Sequence, residues 1–293
     1  MTTTITGSTL GTLAHQEIRN YLKSKLFWVG ATLTAVISGL GLAGGDPRWS
    51  TTGDGIAPAA LIGLLGITIM AGLTRNSDRA AAAAGAVSVD QRTRTLALAA
   101  AVVVPATVGL AWFVLALVGY NLNPPDADAA AFGPATETFI YAGMFIEGVV
   151  ACVGGPLLGL VIGRWLPRRG VAPVLSVVVV LVTMVMQPLF TWAEQWRQVW
   201  VWVHYYAPEG VEGDGDRAVA LTGSPYLHIG YLALLCALGV LVAMYRDTEA
   251  DRTRLRTLIF GVAGVAAVVC VLAMFGGLDE RLPNPIPSPS AEQ

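Results

Sequence analysis

Seven long apolar runs constrain this chain more than any other feature of its sequence. A helix rises about 1.5 Å per residue, so about 20 apolar residues cross the hydrocarbon core of a bilayer. Six of the runs contain no Asp, Glu, Lys or Arg, and the other contains only Glu147. The runs are Phe27–Gly44, Ile56–Leu73, Thr95–Gly119, Phe139–Gly163, Val171–Phe190, Tyr226–Tyr245 and Thr257–Gly276. We predict an all-α integral membrane protein, a polytopic bundle of about seven (six plus one) transmembrane helices.

The composition excludes a soluble protein of ordinary kind. Charged residues make up 13% of the 293 residues, apolar residues make up 54%, and the mean hydropathy is +0.61. Soluble domains carry about 25% charged residues, so this chain requires lipid as part of its solvent. The net charge of −2 provides no basic footprint for nucleic acid.

The basic residues predict how the chain is oriented. With a cytoplasmic N-terminus, 14 of the 18 Lys and Arg residues fall in cytoplasmic segments, as the positive-inside rule requires. Only Arg48, Arg197, Arg217 and Arg281 fall outside. We therefore expect a multi-pass protein of the cell membrane, and an odd number of crossings places the C-terminus outside the cell.

The spans form one predicted transmembrane domain over residues 11–276. Residues 1–10 are rich in Thr, Ser and Gly and are predicted to be disordered, and residues 277–293 are predicted to be a flexible, Pro-rich tail. Cys152, Cys236 and Cys270 lie inside spans and are interpreted as packing residues.

Two segments on the predicted cytoplasmic side have helical patterns. From Leu13 to Leu26, apolar residues recur at four-residue steps, which indicates an amphipathic helix at the membrane surface; a basic flank that only sets topology is the alternative. In the 74–94 loop, Ala80–Ala84 favours helix, Gly85 ends it, and Ser88–Gln91 has the form of a capping box. A plain solvated connector is the alternative for this loop.

A Trp-rich segment follows the fifth span. Trp192, Trp196 and Trp200 fall on one helical stripe, which indicates a short interfacial or re-entrant helix. An aromatic belt at the lipid–water boundary explains the same pattern, and a lid over an export path is the functional alternative.

The fourth span contains two features of its own. Glu147 is the single carboxyl group inside a span, and acids in membranes are candidates for pathway or proton-linked roles. A structural hydrogen bond, or a position that water reaches, is the alternative. Gly155, Gly159 and Gly163 recur at four-residue spacing, which favours close helix packing, within the chain or in a dimer.

No motif in the sequence predicts catalysis by this chain. It lacks a phosphate-binding Gly-rich loop with its Lys, a nucleophile elbow, and His or Cys pairs at metal-ligand spacing. We therefore predict no enzyme activity, no bound cofactor and no metal.

Taken together, the layout resembles the membrane (permease) subunits of type-2 ABC exporters. The stretch Glu17–Trp28 is similar to the N-terminal interface helix of that family, Ala80–Thr95 to its coupling-helix loop, and the Trp-rich segment to its re-entrant external helices. The chain departs from the family in its added seventh span and in Ala86, where a Pro often precedes the Val-Ser element.

The resemblance implies that two permease chains, as a homodimer or heterodimer, enclose the pathway in the bilayer, while a separate ATPase binds ATP. Residues implied in ATPase coupling are Glu17, Arg19, Arg79, Ser88, Asp90 and Arg92. Residues implied in the pathway or its gate are Glu147, Trp192, Trp196 and Trp200. The alternatives are a standalone secondary transporter or membrane enzyme that uses Glu147, and a signalling or assembly protein.

Overall fold

The protein is a helical membrane bundle with one small sheet. This computed structural model describes residues 3–44, 56–85, 89–122, 137–189, 199, 218–247, 251–276 and 278–283. The α-helices are α1 Thr3–Leu22, α2 Lys25–Gly44, α3 Ile56–Pro58, α4 Leu65–Ala84, α5 Gln91–Ala100, α6 Val103–Leu122, α7 Glu137–Phe145, α8 Ala151–Trp165, α9 Val171–Leu189, α10 Pro225–Tyr245 and α11 Arg252–Phe275. Two π-helical segments, π1 (Ala59–Leu64) and π2 (Ile146–Val150), join α3 to α4 and α7 to α8.

Among the described residues, five helical stretches are long and apolar enough to cross a membrane. They are Ile56–Ala83, Gln91–Leu122, Ile140–Trp165, Pro225–Tyr245 and Arg252–Phe275. A sixth crossing results if the bent pair Thr9–Leu22 and Lys25–Gly41 counts as one span. The fifth predicted span is a shorter apolar helix, Val171–Val185. The all-α polytopic fold is therefore confirmed, with five or six crossings by length and composition.

The N-terminal region differs in detail from its prediction. The amphipathic helix ends at Leu22 and α2 begins at Lys25, and their axes are bent by 63°, so Leu26 belongs to α2. The indole N–H of Trp28 donates to the Leu22 carbonyl (2.7 Å), which satisfies a backbone group left open where α1 ends. The helix also extends back to Thr3 into the region predicted to be disordered, because propagation costs little once a helix is nucleated.

Proline and π-helical segments interrupt the predicted continuous spans. The third span breaks at Ala101–Val102, because Pro105 lacks the N–H that would bond to the Ala101 carbonyl. The fourth span contains π2 and then Pro156 inside α8. These irregularities shift the helical register without breaking the crossing.

Helices α4 and α8 run in parallel and pack directly against each other. Gly159 lies against the backbone of Ile67, and a Cβ on Gly163 would lie 2.7 Å from the Cβ of Thr74. Gly155 is also buried. The prediction that the glycine stripe packs within the chain is therefore confirmed for Gly159 and Gly163.

Neighbouring contacts fix the directions of the other spans. Ring contacts of Phe113 with Phe145 and of Tyr120 with Tyr141 place α6 antiparallel to α7. The Trp165 indole donates to the Val242 carbonyl (3.0 Å), at the ends of two parallel helices, α8 and α10. Hence α4, α8 and α10 finish, and α5 and α11 begin, at one end of the bundle, which we call the basic end.

The basic end holds most of the cationic side chains near the described helix termini. They are Arg75, Arg79, Arg92, Arg94, Arg164, Arg168, Arg169, Arg246, Arg252, Arg254 and Arg256, with Lys23 and Lys25 between α1 and α2. The grouping follows from the alternation of span directions, and it matches the charge asymmetry read from the sequence.

A two-stranded antiparallel sheet lies at the opposite end. β1 (Ala218–Gly223) immediately precedes α10, and β2 (Leu278–Pro283) follows α11, with Gly223 paired to Leu278 and Ala218 to Pro283. The sequence predicted a flexible tail from residue 277, whereas the structure has β2 at 278–283. A strand pair separated by about 60 residues has no local sequence signal. Residues 284–293 lie outside the described part of the chain.

Candidate functional site

A groove at the basic end brings together the two segments that the sequence singled out there. It lies between α1, the last turns of α4 and the start of α5, and its volume is about 640 Å³. Its lining residues are Leu13, Gln16, Glu17, Asn20, Lys23, Leu73, Asn76, Ser77, Ala80, Ala81, Val89 and Arg94. The floor is thus partly apolar, and the polar groups are mostly amides and cations.

Local signals around the 85–90 connection shape one wall of this groove. Gly85 ends α4 with a φ of +61°, a conformation that is accessible to glycine and strained for residues with a Cβ. Asp90 caps α5, since its carboxylate accepts a hydrogen bond from the Thr93 N–H (3.1 Å). The predicted capping box assigned the cap to Ser88. Asp90 takes that role because a carboxylate also complements the positive end of the helix.

The opposite wall is a row of polar side chains along α1. Asn20 donates to Glu17 (3.1 Å), and Gln16 donates to Asn20 (3.2 Å), one turn apart in each step. Burial in the groove raises the pKa of Glu17 above its usual range, and the Asn20 hydrogen bond opposes this rise. Glu17 is thus the acidic side chain among the lining residues, and it accepts a hydrogen bond from Asn20.

Three charged residues that sequence reasoning did not single out as a site lie beside the groove. The Asp78 carboxylate accepts a hydrogen bond from Arg94 (3.2 Å) and another from Arg164. We call these residues the Asp78 cluster. The sequence signal for this cluster is an acidic residue, Asp78, between Arg75 and Arg79. The partners of Asp78 on α5 and α8 are set by tertiary packing.

The residues predicted to couple to an ATPase have different surroundings. Glu17 lines the groove, while Arg19, Arg79 and Arg92 are exposed at the same end of the bundle. Asp90 is exposed, but its carboxylate is used as the cap of α5. Ser88 lies outside the described residues.

Of the residues predicted for a pathway, the structure describes Glu147. Glu147 lies in π2, ten residues after α7 begins, and is 6% exposed. The next residue, Gly148, packs against the ring of Trp112 on α6. Trp192, Trp196 and Trp200 lie outside the described residues.

No metal site forms within the described ranges, since no three His, Cys, Asp or Glu side chains come together to hold an ion. The three cysteines are free thiols, with Cys152 and Cys270 buried and Cys236 half-buried. Comparisons of the chain with protein-family models, with curated proteins and with solved structures find no match.

Proposed function

We propose that this chain is the membrane subunit of a type-2 ABC exporter and that it couples to a separate ATPase. The observation that carries the proposal is the groove at the basic end, which is lined by α1 and by described residues of the 74–94 segment on both sides of 86–88. An ATPase that moved this surface would act on α4 and α5 together, and both belong to crossings of the bundle. The chain itself has no nucleotide-binding loop.

The orientation of this subunit follows from its charges. The basic end faces the cytoplasm under the positive-inside rule, with α1 at the inner surface of the cell membrane and the β1–β2 sheet outside. In this orientation the groove is accessible to a cytoplasmic protein. Two such chains, as a homodimer or a heterodimer, enclose the pathway.

The chemistry of the groove and its rim favours an acidic partner surface. Arg19, Arg79 and Arg92 are exposed around a groove that already contains Lys23 and Arg94. Opposite charges on two surfaces speed association and select the partner. The docking face of the ATPase should therefore present acidic side chains next to an apolar ridge.

Copurification tests this proposal. The full-length chain, extracted in mild detergent from its native host, should retain an ATPase, and Arg79→Glu should lower the retained amount roughly tenfold, equivalent to about 1.4 kcal/mol. Arg254→Glu is the matched control: it makes the same charge change at an exposed position of the same end, on a helix that does not line the groove. Absence of any ATPase from the purified complex would contradict the proposal.

A second candidate function rests on Glu147. A buried carboxyl group in a π-helical segment of a span is a typical feature of functional membrane sites, so a standalone secondary transporter is the alternative. In that case Glu147→Gln abolishes transport, and ATP depletion with an intact proton gradient leaves transport unchanged. The exporter proposal requires the opposite response to ATP depletion.

A further inference from the structure

The Asp78 cluster joins three helices through one carboxylate. Asp78 lies near the end of α4, Arg94 near the start of α5, and Arg164 near the end of α8. The side chain of Arg164 is 1% exposed, whereas that of Asp78 is 40% exposed. A water-accessible acid on the 74–94 segment therefore holds a guanidinium that is enclosed by the bundle.

Arg164 depends on this carboxylate. Its Nε and Nη2 atoms are buried and have no hydrogen-bond partner within the described residues, so the bond from Nη1 to Asp78 is its direct polar contact there. Asp247, after α10, and Glu17, on α1, lie within electrostatic range of Arg164. Removal of one partner of a buried ion pair leaves an uncompensated charge, which is strongly destabilising.

Asp78 also lies just before the last turns of α4, where most side chains are exposed. Toward the middle of the membrane, Gly159 and Gly163 hold α8 directly against Ile67 and Thr74, so the two helices cannot slide past each other freely. Beyond Asp78, the side chains of Arg79, Ala80, Ala82 and Ala83 are exposed. The Asp78–Arg164 pair is therefore the polar link between the loop end of α4 and α8.

We propose that Asp78 is a positioning residue that transmits displacement of the 74–94 segment to α8. From α8 the displacement reaches α10 through the Trp165–Val242 hydrogen bond. Arg94, at the C-terminal end of the 74–94 segment, donates a hydrogen bond to the same Asp78 carboxylate, so both ends of the segment move together. The identity of what moves the segment rests on the proposed function, while the link itself is a property of the isolated chain.

Hydrogen–deuterium exchange of the full-length protein in lipid nanodiscs tests the link. Asp78→Asn should speed amide exchange about tenfold or more, both in the 79–94 segment and in the last turn of α8. Asp90→Asn is the matched control, because it removes one acid from the same segment, keeps a good capping residue, and leaves Arg164 paired. Its effect should stay within the start of α5.

Two further variants keep the test decisive. Asp78→Glu retains the charge and should exchange more slowly than Asp78→Asn, which provides a folded variant if the neutral one does not assemble. The double variant Asp78→Asn with Arg164→Gln should exchange in α8 no faster than Arg164→Gln alone, because the link is already broken. Faster exchange confined to 79–94 in Asp78→Asn, with α8 unchanged, would overturn the proposal.

A second arm separates this proposal from the proposed function. With the copurified ATPase and ATP added, the parent protein should change its exchange in both 79–94 and the end of α8, whereas Asp78→Asn should change only in 79–94. If no ATPase copurifies, the proposed function fails, and the exchange pattern of the isolated chain still decides whether Asp78 links the segment to α8.

Discussion

At the scale of single residues, Gly163 sets the distance between the two helices that form the centre of the bundle. In lipid, helices associate largely through van der Waals packing, so small residues at the contact allow their backbones to approach. Gly163 lies against the Thr74 side chain, with no room for a Cβ. Gly264 on α11 differs, because nothing lies within 4 Å of its Cβ position and a larger side chain would fit there.

This difference gives a direct prediction for glycine substitutions. Gly163→Ala should lower the free energy of unfolding by about 1–3 kcal/mol, because the new methyl group must displace Thr74 or the α4 backbone. Gly264→Ala, as control, should leave stability unchanged or raise it by up to about 1 kcal/mol, since alanine is the better helix former. Reversible unfolding in detergent micelles measures both. Equal stability of the two variants would contradict the packing that the structure describes.

The sequence alone identified some of these residues and missed others for a physical reason. The four-residue spacing of Gly159 and Gly163 is local, so their common face could be read directly. The partners of Asp78 are 16 and 86 residues away, and no periodicity relates them. A pattern within one helix determines which residues share a face, but it does not determine which helix meets that face.

At the scale of elements, the position of α1 depends on an aromatic anchor. Tyr21 is fully buried and lies in the main core with Phe27, and its hydroxyl group approaches the position where Gly66 meets Pro156. The two rings contact edge to face, with centroids 5.4 Å apart. Tyr21 thus joins the interface helix to α2 through Phe27, and to α4 and α8 where Gly66 meets Pro156. The amphipathic pattern of α1 did not indicate these contacts.

Two substitutions separate the anchor from its hydroxyl group. Tyr21→Ala should lower the free energy of unfolding by about 3 kcal/mol or more and expose α1 to proteolysis, because a large aromatic ring leaves a cavity. Tyr21→Phe should be nearly neutral, since the buried hydroxyl has no hydrogen-bond partner in the described part of the chain. Thermal unfolding and limited proteolysis provide the two readouts. Release of α1 in Tyr21→Phe as well would show that the hydroxyl, not the ring, holds the helix.

The strands show the limit of pattern reading at this scale. Long apolar runs predicted the helices because a spanning helix satisfies its own backbone groups within lipid. β1 and β2 satisfy theirs only by pairing with each other across α10 and α11. Neither strand has a sequence pattern that identifies the other as its partner. The two strands pair because the antiparallel helices α10 and α11 bring them to the same end of the bundle.

At the scale of the whole molecule, the prediction that the C-terminus lies outside the cell depends on α11. α11 has 24 residues, about 36 Å of helix, and its apolar stretch is among the five that could cross a membrane. The pairing of β1 with β2 places the segment before α10 and the segment after α11 at the same end of the bundle. The two helices therefore form an antiparallel pair, and both are long and apolar enough to cross a membrane.

Reporter fusions test this arrangement. A reporter after residue 250 should be active in the cytoplasm and one after residue 293 outside the cell, because α11 lies between them. Deletion of residues 252–276 should return the second reporter to the cytoplasm and serves as the control. Location of both full-length fusions in one compartment would show that α11 does not cross.

The sequence by itself determined the class of this protein, the positions of its helices and the gathering of basic residues at one end, since each depends on local hydrophobicity and charge. Tertiary structure alone decided that α4 packs directly against α8, that α1 is fastened through Tyr21, and that Asp78 binds arginines from two other helices. The reason is that contacts between distant segments depend on shape and on unpaired polar groups, and these exist only after the helices have packed.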